Sequence, residues 1–336
     1  MNLMNNIIGY LQLIRLQTAA TTALTPVIGG LIMGQNDIFL LFILFLIGFL
    51  YHIYGFVLNE YIDIDVDKKS ADLTKKPLIS GAVPKKHALF IAVFSGIFAC
   101  FLTIFFFPSV LPILFLVFAL LLGGVYDIFG KIIPGLDFVL GLGFFFLCLM
   151  GSSTIIYDFT ILTYIVCLIY FIHIAFNNSV EGGLKDVDHD YLAGAKTLAT
   201  KMGVFVKNEK LKITKKFVIF SFILKLIFIC LIILLCIQSE INLFVYEKNT
   251  LYIILFIFFI IITLFTMYRF LFMTVFDRSK LKKLFSLHEM SSYFLLIISL
   301  SLLIELLPTL ILIFFPFVWY LLFNFILYRK LLQPQV

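Results

Sequence analysis

"IFLLFILFLIGFLYHIYGFVLNEYIDIDVDKK", Ile38 to Lys69, joins two unlike segments without a break. From Ile38 to Leu58 there is no Asp, Glu, Lys or Arg, and a run of that length crosses a hydrocarbon layer of about 30 Å as a helix. The next stretch, Leu58 to Gly81, holds four aspartates and four lysines. A membrane helix that runs straight into carboxylates decides the fold class. It also raises the question of what those carboxylates do.

The same pattern recurs outward from this stretch. The chain has 336 residues, 62% hydrophobic and 13% charged, with 42 phenylalanines. A soluble protein of this size could not bury so much apolar surface. Apolar runs predict helices near 16–34, 38–58, 87–107, 109–125, 134–152, 157–178, 216–237, 250–273, 288–305 and 308–328. The expected architecture is all-α: one polytopic transmembrane bundle of about nine or ten helices, a single domain over residues 1–336. Acidic loops fall at 59–86 and 179–215, and an additional C-terminal helix at about 308–328. Pro108, Pro134 and Pro308 mark breaks, and Pro316 falls inside the last helix and is expected to kink it.

A basic balance of +6 could suggest nucleic acid, but the charges lie in short loops between apolar runs. Counted by alternate sides, every Lys and Arg except Lys225 and Lys248 falls on one side. That bias predicts a multi-pass protein of the cell membrane with both termini and both acidic loops in the cytoplasm, and no nucleic-acid partner. The opening residues lack a basic leader, a short apolar core and a small-residue cleavage site, so no removable signal peptide is predicted. Cys100, Cys148, Cys167, Cys230 and Cys236 are scattered through apolar runs without metal-ligand spacing and read as packing residues.

Asn59, Asp63 and Asp67 stand at i, i+4 and i+8. On a helix each step of four rises about 6 Å, so the three line one face. Asp186 and Asp190 repeat the step four helices later on the same side, and each cluster is trailed by basic and small residues, "KKPLISG" and "GAKTLA". This weak echo suggests two pseudo-repeated halves whose acidic rims face one another across a central cavity.

Like charges four apart on a helix repel, and a cation relieves the cost. Oxygen ligands suit Mg²⁺, which takes one or two carboxylates, water and the oxygens of a substrate phosphate. The nearby cations Arg15, Lys75, Lys76, Lys131, Lys185 and Lys196 could balance a diphosphate. The implied substrate is amphipathic, a charged head on an oily body, as in a polyprenyl diphosphate embedded in the bilayer. Tyr54, Tyr61, Tyr126 and some phenylalanines are candidate faces for an allylic carbocation.

These residues resemble the motifs of the UbiA-type intramembrane prenyltransferase superfamily. Asn59-x-x-x-Asp63-x-x-x-Asp67 resembles its first motif. "KDVDHDYLAGAKTLA", Lys185 to Ala199, resembles its second. "LIRLQT" in the first helix, "KKPLISGAV" and the pair Tyr126 and Lys131 extend the likeness to about residue 215. The resemblance implies a helical bundle around a cavity open to lipid, with Mg²⁺ as cofactor. The implied reaction transfers a polyprenyl group from its diphosphate to an acceptor in quinone or lipid biosynthesis: a hydroxybenzoate, a naphthoate, haem, chlorophyllide or a glycerol-phosphate ether. By the same resemblance Asn59, Asp63, Asp67, Asp186 and Asp190 are metal ligands, the four aspartates carrying the catalysis. Arg15, Asn59, Lys75, Tyr126, Lys131 and Lys185 are substrate contacts. Glu181 and Gly182–Gly183 stand where many members carry an arginine.

Two other readings compete: a terpene cyclase of the same fold, and a transporter for a lipid-linked or anionic solute built from inverted halves. Against transport, the acids lie at the membrane edge rather than at its midplane. His52 and His173 could face a cavity, although an interhelical hydrogen bond is at least as good a reading. Lys225 reads as snorkelling or paired.

Overall fold

The computed structural model describes residues 3–68, 73–155, 158–238, 250–301 and 303–331. Lys69 and Lys248, both used in the charge count, lie outside the described residues.

Helix α1 (Leu3–Leu13) leads through a 3₁₀ turn (Leu16–Thr18) into α2 (Ala19–Ile32). Then follow α3 (Ile38–Asp67), α4 (Lys85–Phe106), α5 (Val110–Phe129), α6 (Asp137–Ser152) and α7 (Ile161–Phe176). A π-helical turn (Asn177–Gly182) passes into α8 (Gly183–Lys185), α9 (Val187–Ala193) and α10 (Leu198–Lys201). A hairpin of β1 (Phe205–Lys207) and β2 (Lys210–Lys212) precedes α11 (Lys215–Cys236), α12 (Thr250–Leu271), α13 (Arg278–Leu300) and α14 (Leu306–Tyr328).

Among the described residues seven helices are long and apolar enough to cross a membrane, and α14 is one of them. The helix ending at Ile32 and α6 are apolar but shorter. The expected all-α polytopic bundle is therefore what the chain forms, with one two-stranded hairpin among the described residues. The ninth predicted span differs most: α13 begins ten residues earlier than its apolar run, with Arg278, Lys280, Lys282 and Lys283 inside its first turns. Asp277 caps it, accepting from the Lys280 N–H at 2.9 Å. On α4, Phe90, Phe94, Phe98, Phe101 and Phe105 stack in one exposed ladder, the lipid-facing use expected of many phenylalanines.

The chain divides into two compact units. The first comprises Met1–Phe129, Leu142–Phe159 and Phe314–Gln333. Within it α2 and α6 cross closely. A Cβ added at Gly29 would collide with the Cys148 carbonyl, and one at Gly151 with the Pro26 carbonyl. Small residues let backbones approach where lipid supplies no hydrophobic drive between helices. The only tryptophan of the chain, Trp319 on α14, donates to the Leu16 carbonyl at 2.7 Å, and its ring meets Phe45, Phe49, Phe315 and Phe323. Its indole thereby ties α14 to the turn that carries Arg15.

The second unit comprises Gly130–Gly141 and Thr160–Ile313 among the described residues. Its core gathers Phe176, Val180, Leu184 and Val187 from the α7–α9 segment with Phe217, Leu224, Met267, Phe270, Leu281 and Phe285 from α11, α12 and α13. The hairpin turns at Asn208 and Glu209, both with positive φ (50° and 61°), the geometry of a type I′ turn. Backbone bonds from Phe276 to Glu209 and from Leu211 to Thr274 fasten it to the α12–α13 link.

Candidate functional site

Helix α3 runs 30 residues, about 45 Å at 1.5 Å per residue, well beyond a 30 Å hydrocarbon layer. Its C-terminal turns therefore project the first acidic cluster on a rigid continuation of a membrane span, as the sequence pattern requires. Asp63 and Asp67 are only 9% and 7% exposed, whereas Asp65, on the opposite face, is 80% exposed at its side chain. The period of four thus divides one buried acidic face from one solvated aspartate.

That buried face includes Glu60, which the pattern Asn59, Asp63, Asp67 leaves out. Its Oε1 accepts from Arg15 at 2.7 Å and from Lys76 at 2.9 Å. The Lys76 ammonium also reaches Asp67 Oδ2 at 2.7 Å. Of the two adjacent lysines, Lys76 joins the network and Lys75 is exposed. Arg15 has left-handed backbone (φ 47°, ψ 48°), a conformation costing a non-glycine residue about 1 kcal/mol. The Glu60 ion pair and the Trp319–Leu16 hydrogen bond hold it there. Its guanidinium also lies 5.0 Å from the Phe56 ring centre. Tyr61 lies beneath the Lys85 ammonium at 4.7 Å, and Tyr54 donates to the Leu120 carbonyl at 3.1 Å.

Tyr54 also fixes how α5 meets α3. A Cβ at Gly124 would come within 2.6 Å of the Tyr54 hydroxyl, so glycine there permits the close crossing. One turn on, Asp127 is 8% exposed and its Oδ2 has no hydrogen-bond partner. Asn59 hydrogen-bonds the Asp127 side chain, and the Asp63 charge acts on it. Tyr126, the residue singled out from the sequence, is half-buried beside it.

The second cluster is built from the π turn onward. Asp186 precedes α9, and the Asp190 N–H donates to the Asp186 carbonyl at 2.9 Å, so one helical turn brings the two aspartates onto a common face. Val180, Leu184 and Val187 interleave with them and bury the opposite face in the core. Asp190 is 6% exposed. Asp186 is half-exposed, with Lys185 Nζ 3.4 Å from its Oδ2. Lys131 stands in the same unit, and its carbonyl accepts from the Lys196 N–H at 2.9 Å. From the start of α13, Arg278 donates to Asp188 Oδ1 at 2.5 Å and to the Lys185 carbonyl at 3.2 Å, and it meets His189 Nε2 at 2.6 Å. Arg278 is the brace of this cluster, and His189 is part of that brace.

The donor set fits Mg²⁺. Asp63, Asn59 and the unpartnered buried oxygen of Asp127 offer hard oxygen atoms on adjoining helices. Among the described residues no three His, Cys, Asp or Glu side chains are grouped to hold a metal ion. Asn59, Asp63 and Asp127 would supply part of a Mg²⁺ shell, which such an ion completes with water and substrate phosphate.

Residues 23–292 match the model of the UbiA prenyltransferase family. The chain belongs to this family. As a UbiA member with seven described helices long and apolar enough to cross a membrane, it is a multi-pass integral membrane protein. Solved structures share the fold at low identity. A UbiA homologue from Archaeoglobus fulgidus bound to GPP and Mg²⁺ aligns with a TM-score of 0.63 at 17% identity, over 88% of this chain and 99% of that one. A UbiA homologue from Aeropyrum pernix K1 gives 0.65 at 14%, covering 84% and 96%. A digeranylgeranylglyceryl phosphate synthase gives 0.58 at 21%, covering 93% and 98%. No curated protein matches this sequence.

Proposed function

We propose that this UbiA member is a Mg²⁺-dependent prenyltransferase that moves a polyprenyl group from its diphosphate to an aromatic or lipid-like acceptor at the cytoplasmic face. The whole chain is read as one catalytic domain. The observation that carries the proposal is the buried acidic face of α3, where Asp63, Asp67 and Asn59 are held by a rigid helix and joined by the unpartnered oxygen of Asp127. The same step of four in Asp186 and Asp190 supports it. So do the family match and the GPP and Mg²⁺ bound by the Archaeoglobus homologue.

In this reading Asn59, Asp63 and Asp67, with Asp127, and Asp186 with Asp190 hold Mg²⁺. Bound there, Mg²⁺ would supply charge neutralisation for the departing diphosphate. Arg15, Lys75, Tyr126, Lys131 and Lys185 contact the diphosphate. Arg278 keeps Lys185 and Asp188 in place. Glu60 orients Arg15 and Lys76. The apolar helices hold the prenyl chain away from water, so the developing cation is not quenched.

The test is release of diphosphate from a labelled allylic diphosphate by the purified protein in liposomes, with acceptors that include 4-hydroxybenzoate and geranylgeranylglyceryl phosphate. Release is expected only with Mg²⁺ and an acceptor present, with the label recovered in the acceptor. A cyclised hydrocarbon formed without acceptor would replace transfer with cyclisation. Movement of solute across the bilayer with no covalent change would replace it with transport.

A further inference from the structure

The second unit contains a polar cluster that the proposed metal site does not use. Lys225 on α11 is fully buried, and its ammonium lies 4.1 Å from the Phe176 ring centre, 4.6 Å from that of Phe228 and 3.3 Å from Ser292 Oγ. Glu181, on the π turn, is 2% exposed, and its Oε1 lies 2.5 Å from His288 Nδ1 of α13. The carboxyls of Glu181 and Glu289 lie close enough to act on one another, and both Glu181 oxygens are buried without a hydrogen-bond partner. His288 Nε2 and His173 Nδ1 are buried with no hydrogen-bond partner. The groups facing the cluster are His173 from α7, Lys185 from α8, Lys225 from α11, and His288 and Glu289 from α13. A small cavity beside it is lined by Tyr170, His173, Phe228, Ser292 and Tyr293.

Such a cluster is expensive inside a membrane protein and marks function more often than packing. Two carboxylates side by side in a buried site repel, and binding a proton relieves that repulsion. The imidazole of His288, against Glu181, is a second place for that proton. The π turn itself, a local widening that often accompanies functional sites, carries the buried Glu181 and is joined to Asp186 by the short helix α8.

We propose that Glu181, Glu289 and His288 form a proton-accepting site that takes up the proton lost by the acceptor when it is prenylated, with the Lys225 amine as its buried neighbour. This rests on the transfer reaction proposed above. In that reaction the allylic C–O bond breaks with its electron pair on the diphosphate. The acceptor carbon or oxygen bonds the allylic carbon, and the acceptor's proton passes to the Glu181–Glu289–His288 site and from there to water.

The test uses the full chain in lipid nanodiscs. Infrared difference spectra across a pH titration are expected to show a protonated-carboxyl band that Glu181→Gln removes. The same variant is expected to keep Mg²⁺-dependent binding of geranyl thiolodiphosphate, an analogue that does not ionise. With geranylgeranyl diphosphate and either acceptor named above, Glu181→Gln should lower kcat on the order of 100-fold with KM for the diphosphate unchanged, and His288→Gln should displace the pH profile. Absence of a titrating carboxyl band, or a wild-type rate and pH profile in both variants, overturns the proton site. Loss of Mg²⁺-dependent analogue binding in the wild type would instead overturn the transferase reading. If Glu181→Gln does not fold, the infrared and pH measurements on Glu289→Gln and His288→Gln decide.

Discussion

Glu60 illustrates how a residue can matter to the site without belonging to its motif. It compensates two cations at once, Arg15 and Lys76, and it is 6% exposed. Removing one partner of a buried ion network leaves charge without compensation, at about 3–5 kcal/mol. Glu60→Gln should therefore lower stability by an amount in that range, read as thermal unfolding in detergent. A motif aspartate should behave differently. Asp63 is 9% exposed beside Asn59 and Asp127 in the proposed metal site, and asparagine has nearly the same shape. Asp63→Asn is thus expected to fold but to lose on the order of 100-fold in Mg²⁺ affinity, measured by titration of Mn²⁺ with magnetic resonance detection. An unchanged affinity would remove Asp63 from the proposed metal ligands. Arg278→Ala gives a third contrast. The brace on Asp188 and His189 disappears, so transfer falls through poorer positioning, while metal affinity at the first cluster is unchanged. The aspartates and Asn59 were legible in the sequence because helical spacing alone places them on one face. Glu60 was hidden by standing one residue off that spacing. Asp127 and Arg278 were hidden because their partners come from distant positions: Arg278 and Asp188 are 90 residues apart, and nothing local marks such a pairing.

At the scale of elements, the apolar helices were legible in approximate place, since twenty apolar residues have few alternatives to a membrane helix, although seven described helices, against ten predicted, have the length and composition of a span. What each helix touches was not. The hairpin escaped notice because its I′ turn is made by Asn208 and Glu209 rather than by the usual glycine. His52, open to a role in a cavity, is instead held between helices by Thr22 Oγ1 at 3.2 Å and the Ile14 carbonyl at 3.0 Å. The α2–α6 crossing depends on the absence of two side chains. Gly151→Leu would place a branched chain where the Pro26 carbonyl stands. Overpacking of this kind costs about 1–3 kcal/mol or more, so a lower unfolding temperature is expected, whereas Gly55→Ala, where no atom crowds a new Cβ, should be neutral. Helix α14 carries a second expectation at this scale. Trp319 is the only tryptophan, so the chain's indole fluorescence reports one site. Trp319→Phe keeps the aromatic packing but deletes the hydrogen bond to Leu16, loosening the turn that presents Arg15. Affinity for the prenyl diphosphate should fall more than stability does.

At the scale of the whole molecule, each compact unit supplies one acidic cluster with its own support: α3, Arg15 and Lys76 in the first, the π turn and Arg278 in the second. Each cluster is also accompanied by cations, and that distribution is what argues for orientation. Lysine and arginine near span ends resist translocation, so short loops rich in them stay in the cytoplasm. Lys76, Lys185, Lys196, Arg278, Lys280 and Arg329 all belong to the side predicted to be cytoplasmic. The ten spans predicted from the sequence would return the chain to the side on which it began, and α14 has the length and composition of a span. The expected outcome is that cysteines placed one at a time at Asn5, at Lys280 and at Arg329, in a background without the native five cysteines, react with an impermeant maleimide only in inside-out vesicles. Labelling of the Arg329 position from outside the cell, with Lys280 still protected, would mean that α14 does not return the chain to the cytoplasm. The spans would then number nine, and the acidic clusters would keep their cytoplasmic placement while the C-terminus would not.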